Sequence, residues 1–221
     1  PKTPCNNKII ENTMERESDY LYKIVLVGDV NVGKTYMLMR YIHGEIPKDV
    51  HNTIGVEFAT QKIQLKDGGT VKAQIWDTAG QEKYKAIIRA HFRRAAGALV
   101  VYDITNETSY NNVQNWIQEL KDNADDDVVI MLVGTKLDVV LKNRARRKVA
   151  KEEAKLFAEK NKMLFEETSS VQNFKVTDCF ENLLQEIYDN KNSKYEQTAP
   201  REGEDSRVNL ESMIYRRKED K

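Results

Sequence analysis

The sequence predicts a three-layer α/β domain: a mostly parallel sheet of about six strands with helices on both faces. Three observations predict it. From Tyr22 onward, short β-rich runs alternate with helical patterns. Gly97–Asp103 (GALVVYD) and Val128–Gly134 (VVIMLVG) are continuous apolar runs, as strands covered on both faces must be. The first strand candidate, Tyr22–Val27 (YKIVLV), leads directly into a glycine-bearing turn and then a helix around Thr35–Tyr41.

The remaining elements follow in chain order. Residues 1–19 are polar and lack an apolar period, which predicts a flexible N-terminal extension. Val56–Leu65 and Val71–Asp77 flank Lys66-Asp67-Gly68-Gly69, a hairpin turn signal. Val113, Trp116, Ile117 and Leu120 fall at helical spacing, as do Val176, Cys179, Phe180, Leu183, Leu184 and Ile187. Cys179 therefore reads as a core thiol. The domain spans 20–190, and the polar, charged stretch 191–221 reads as a flexible tail. Within it, Val208–Tyr215 could form a short amphipathic helix, although its composition favours disorder.

Composition excludes some functions. The chain has 221 residues, 40% of them apolar, enough for one domain with a real core. Its 35 basic residues balance 35 acidic ones, so the basic footprint of a nucleic-acid binder is missing. No apolar run approaches the ~18 residues of a membrane span. Cys5 and Cys179 do not suggest a disulfide framework, and a reducing, cytosolic setting fits best.

The chemistry starts at Gly28-Asp29-Val30-Asn31-Val32-Gly33-Lys34-Thr35, with Tyr36 behind it. Gly, four residues and Gly-Lys-Ser/Thr, placed between a buried strand and a helix, is the phosphate-loop pattern. Such a loop turns successive backbone N–H groups towards one point, and the helix N-terminus adds partial positive charge. Lys34 would reach the β- and γ-phosphates, and the Thr35 hydroxyl would bind Mg²⁺. The loop alone does not choose between ATP and GTP. Asp77 ends a strand and can hold Mg²⁺ through water, while Gly80 lets its backbone N–H approach the γ-phosphate.

Several further elements resemble the Rab GTPases of the Ras superfamily, over roughly residues 20–190. Trp76-Asp77-Thr78-Ala79-Gly80-Gln81-Glu82 looks like the switch II opening of the superfamily. Ile54–Phe58, Lys72–Trp76, Gly80–Tyr84 and Ala98–Thr105 resemble elements that mark Rabs. Gly55–Thr60, Lys72–Trp76 and Val129–Gly134 resemble the recycling-endosome subgroup. The resemblance implies a P-loop GTPase fold with GTP/GDP and Mg²⁺ as ligands. Thr53 would close switch I over the metal, and Gln81 would position the attacking water. Thr135, Lys136 and Asp138 would form the base motif, with the Asp138 carboxylate accepting guanine's ring N–H and amino group. Ser169 and Ser170 would contact the base through backbone groups, with Thr168 before them. Ile54, Phe58, Trp76 and His91 would form the effector surface. The implied partners are effectors, an exchange factor, a GTPase-activating protein and a GDP-dissociation inhibitor. The implied setting is cytoplasmic, on the cytosolic face of endosomal or Golgi-derived membranes when lipidated.

Departures from the family pattern sharpen the expectations. Thr135 replaces the usual asparagine of the base motif, and Ile46 replaces an aromatic ring beside the guanine. Val30 and Asn31 replace the small pair that usually faces the γ-phosphate. Asparagine tolerates positive φ, so Asn31 is expected to keep the loop's shape. Val30 would crowd Gln81 and an arginine finger, which predicts slow hydrolysis and leaves a nearly non-hydrolysing scaffold as the alternative. His91 stands third in the aromatic triad begun by Phe58 and Trp76, with Phe92 beside it. Phe58 and Trp76 could instead be plain core residues. Lys142–Lys148 (KNRARRK) reads as a solvated loop, with an anionic-lipid contact as the other possibility. A P-loop small-molecule kinase is disfavoured, because no lid or acceptor site surrounds the motif. The tail carries no cysteine for prenylation, so membrane contact requires a prenylated C-terminus beyond this chain. Met14 could be an internal start.

Overall fold

In a computed structural model, the described residues are 20–46, 53, 56–80 and 85–198. Six strands form one sheet in the order β2-β3-β1-β4-β5-β6. They are β1 Tyr20–Val27, β2 Val56–Gln64, β3 Thr70–Thr78, β4 Gly97–Asp103, β5 Val129–Thr135 and β6 Leu164–Glu167. Among the strands described, only β2 and β3 pair antiparallel; β1 pairs parallel with β3 and β4, β4 with β5, and β5 with β6. Parallel neighbours need crossovers, and the helices supply them. These are α1 Lys34–His43, α2 Lys85–Phe92, α3 Glu107–Asn111, α4 Val113–Asn123, α5 Leu137–Lys142 and α6 Lys151–Lys160, and α7 Val176–Thr198 follows the last strand.

The central strand burial follows the sequence closely. Every residue of β4 is buried, and so are Val25, Leu26 and Val27 at the end of β1. Val113, Trp116, Ile117 and Leu120 form the inner face of α4, as their spacing predicts. The hairpin turn closes where expected. Gly68 adopts φ of 91° and its N–H donates to Leu65 O at 3.0 Å, while Gly69 N donates to Asp67 Oδ1 at 3.0 Å. Cys179 is fully buried, and burial pushes its thiol well above the ordinary range, which suits a packing role.

Chain order and sheet order together fix the location of the site. The carboxyl ends of β1, β3, β4 and β5 lie along one edge, and the order reverses direction at β1, between β3 and β4. Open parallel sheets bind ligands at such an edge.

The chain divides into two compact units, one ending at Ile187 and one starting at Tyr188. The second is helical as far as Thr198, beyond Asn190, where the sequence turns polar. Polar composition does not forbid helix, since Lys, Gln and Glu are good helix formers. The extension 1–19 and the segment Val208–Tyr215 lie outside the described residues.

Candidate functional site

The phosphate loop leaves β1 at Gly28, whose φ is 142°. A Cβ there would stand 2.1 Å from the Val101 carbonyl oxygen, so only glycine lets the loop turn this close to β4. Asn31 takes φ of 61°, the left-handed conformation expected of it. Gly33 follows, and α1 begins at Lys34 with its first N–H groups facing the loop.

Lys34 is 6% exposed, and its ammonium donates to Gly28 O and Asp29 O, each at 2.8 Å. Burial pushes its pKa down to about 8, while the Asp77 and Asp29 carboxylates pull the other way. An ammonium has three donors. Two hold the loop's own carbonyls, which leaves one for an anionic oxygen in the cavity that Lys34 lines.

Next to it, three oxygens from three distant segments converge. Thr35 Oγ1 donates to Asp77 Oδ2 at 2.5 Å and lies 2.6 Å from Thr53 Oγ1, which is itself 3.4 Å from Asp77 Oδ2. Asp77 Oδ1 is buried with no hydrogen-bond partner. Burial pushes the Asp77 carboxyl up to about 6, against the lowering pull of Thr35 and Lys34. A buried carboxylate with an unused oxygen, flanked by two hydroxyls, is an all-oxygen donor set for a hard divalent cation. Among the described residues no group of three His, Cys, Asp or Glu side chains could cage a metal alone. A cation held here would share its coordination with ligand oxygens and water.

The chain leaving β3 enters as a close backbone contact. A Cβ on Gly80 would lie 2.3 Å from both Asp29 C and Val30 N, so only glycine brings this chain so near the loop. Val30 lines the same cavity and is 42% exposed.

The other end of the cavity is assembled from the ends of β5 and β6. Thr135 Oγ1 lies 2.5 Å from Val32 O and 3.0 Å from Tyr102 O, bridging the phosphate loop to β4. The threonine thus keeps the two ends of the site together through one hydroxyl. Lys136 has φ of 66° and its ammonium pairs with Asp103 Oδ2 at 2.8 Å. Asp138 is buried, and Ser169 Oγ donates to its Oδ1 at 2.7 Å. Leu137 N donates to Thr168 O and Thr168 N to Gly134 O, stitching the two loops together. Thr35, Tyr36, Thr53, Gly80, Asp138 and Ser170 line one cavity of about 380 Å³ with the loop, a size that suits a small-molecule ligand.

Some predicted residues sit behind this lining. Asp29, Val32 and Ser169 act through backbone or hydrogen bonds, and Ile46 is half-buried outside it. Gln81 and Ile54 lie outside the described residues. Val139 and Val171 line the cavity although the sequence does not single them out. Arg40 was also missed. From α1, its Nε donates to Ser170 O at 2.7 Å and its Nη2 to Val171 O at 3.3 Å. An arginine in a helix pattern carries no signal of such a reach.

On the β2–β3 face, Phe58 pairs with Trp76 across the hairpin, ring centroids 4.8 Å apart, and His91 meets Trp76 at 4.7 Å. Phe58 is 51% exposed, so the plain core reading fails for it. Phe92 goes into the core while His91 takes the surface side. Burial, then the nearby Lys23 ammonium, pushes the His91 imidazole below its ordinary range.

A phosphate loop at the switch point of such a sheet defines a P-loop nucleotide-binding protein. The family model described as "Ras family" matches residues 23–189. The chain is also 50% identical, over 179 residues, to "Ras-related protein rab-11.1" of Caenorhabditis elegans, covering 81% of this chain and 82% of that protein. The chain belongs to the Ras family and within it is a Rab-11-like small GTPase. It is a GTP-binding, GTP-hydrolysing switch of vesicle-mediated membrane traffic. Effectors, exchange factors and activating proteins are the partners of that family.

Proposed function

We propose that the cavity holds GTP with Mg²⁺, phosphates at the loop and guanine at Asp138. The observation that carries this is the meeting of Thr35, Thr53 and Asp77 oxygens beside the buried Lys34 ammonium. Thr35 and Thr53 would hold the ion directly and Asp77 through water. When bound, Mg²⁺ neutralises charge on the β- and γ-phosphate oxygens. Lys34 turns its free donor to the same oxygens, and the backbone of residues 29–36 cradles them. The Asp138 oxygens accept guanine's two donors, with Ser169 fixing the carboxylate's orientation. The Gly80 N–H meets the γ-phosphate, and Gln81 orients the attacking water.

Loss of the γ-phosphate frees Thr53 and Gly80, so the switch segments and the Phe58–Trp76–His91 face change together and effectors let go. Val30 lines the cavity beside Gly80, so we place it as a brake on the rate. The likeness to a rab-11.1 protein supports a site of action at endosomal membranes, with a GDP-dissociation inhibitor among the partners.

Single-turnover phosphate release from purified protein loaded with GTP tests the proposal. Release should depend on Mg²⁺ and fall at least about tenfold in Gln81→Leu, since misplacing a reactant by ~1 Å costs up to about 100-fold. Equal release with and without Mg²⁺ would remove the metal from the mechanism.

A further inference from the structure

The carboxylate of Asp29 is not part of the cavity lining. Donors from α4 and its N-terminal junction occupy both its oxygens. Asn112 Nδ2 donates to Oδ2 at 2.7 Å, and Trp116 Nε1 donates to Oδ1 at 2.8 Å. The two donors stand one helical turn apart. Asn112 sits at the junction of α3 and α4, its N–H bonded to Thr108 O and its carbonyl accepting from Trp116 N at 3.2 Å. Trp116 is 5% exposed and its ring belongs to the core, so its N–H is presented by a rigid body.

The backbone of the same aspartate serves the site. Its carbonyl accepts from Lys34 Nζ, and its C and O atoms are the ones that Gly80 approaches. Asp29 thus joins three things: the phosphate-binding ammonium, the start of switch II, and the α3–α4 junction. Bonds to an ionised acceptor are roughly twice as strong as neutral ones, and this half-buried carboxylate has a donor on each oxygen. The loop's second residue is therefore pinned from outside the site, whatever the phosphates do.

We propose that Asn112 and Trp116 are positioning residues for the phosphate loop. They fix Asp29 by its carboxylate, keep its carbonyl under the Lys34 ammonium, and so set how long a nucleotide is retained. The proposal rests on the nucleotide-site reading above. Core packing by Trp116 alone is the competing account, and a clamp differs from packing in one respect: its effect must pass through the Asp29 side chain.

Release of N-methylanthraniloyl-GDP, chased with excess GDP in Mg²⁺ buffer, tests this in full-length protein. Trp116→Phe and Asn112→Leu should each speed release by about threefold to tenfold, a fraction of what a hydrogen bond to a charged group is worth. Asp29→Ala should release faster as well. In the Asp29→Ala background both substitutions should change the rate less than about twofold, because coupled residues are not additive. Trp116→Phe leaves a smaller ring in the core, and Asn112→Leu, nearly isosteric and at a helix junction, repeats the test without that cavity. Equal acceleration in both backgrounds, or none in either, would overturn the clamp. Lys34→Ala separates the two levels of the argument. If it retained the fluorescent nucleotide as tightly as wild type, the site reading would fall, and the proposal with it.

Discussion

In the proposed function, the phosphate end and the base end of the cavity solve the same problem differently. The phosphate end is one short loop between β1 and α1, shaped by Gly28 and Asn31 and working through backbone N–H groups and a single buried ammonium. The base end is gathered from β5, β6 and α1, and works through side chains that brace it: Thr135 on the Val32 carbonyl, Lys136 on Asp103, Ser169 on Asp138, Arg40 on the Ser170 carbonyl. Phosphates are highly charged and alike in all nucleotides, so dipoles and one cation suffice for them. A base is nearly neutral and must be told from other bases, which needs donors and acceptors fixed in place. On the proposed reading of the site, retention and selection should therefore be separable in this molecule.

Breaking the retention end should produce the largest effect. Lys34→Ala should weaken GDP and GTP alike by on the order of a hundredfold, since truncating a buried, hydrogen-bonded charge partner costs about 2–5 kcal/mol. Equilibrium titration with a fluorescent nucleotide measures it, and base preference should stay the same. Thr35→Asn should cost GTP about tenfold more than GDP, because an amide cannot replace the hydroxyl beside Asp77 without crowding the cation that Thr35 would hold near the γ-phosphate. Equal losses for both nucleotides would mean that the hydroxyl serves structure instead. Val30→Ser should leave affinity unchanged and raise single-turnover hydrolysis by up to about tenfold. Valine's stiff χ1 cannot swing its methyls out of the way. Arg40→Met gives the smallest effect. Without its bonds to Ser170 O and Val171 O, release of both nucleotides should quicken by about threefold, with no change in the hydrolysis step.

The same contrast explains what was legible in the sequence. A contiguous motif with fixed spacing can be read directly, so the loop, Lys34 and Thr35 stand out. Continuous apolar runs gave β4 and β5, and the Asp-Gly signal gave the hairpin. Sites assembled from distant segments could only be expected through resemblance, as with Thr53, Asp138 and Ser169. What holds the loop itself from outside left no mark, because nothing beside Asp29 in the sequence points to Asn112 and Trp116. Strand β6 was hidden for a related reason. It is only four residues long and ends in two glutamates; Glu167 is buried under a bidentate pair with Arg147, at 2.6 and 2.9 Å, and Glu166 pairs with Lys175 at 2.7 Å. Lys142–Lys148, read as a solvated basic run, contributes Arg147 to that pair and leaves its other cations exposed.

The separation of selection from retention is tested most directly by competition between GTP and xanthosine triphosphate on Asp138→Asn. In the proposed site the carboxylate accepts two guanine donors, and the amide would offer a donor where guanine also has one. Mismatched buried polar groups cost roughly 1–3 kcal/mol each. The mutant should lose GTP affinity by about tenfold to a hundredfold, gain the xanthine nucleotide, and keep its requirement for Lys34 unchanged. GTP bound by the mutant as tightly as by wild type, with xanthosine triphosphate still excluded, would contradict the assignment of Asp138 and with it the division of the cavity into two ends.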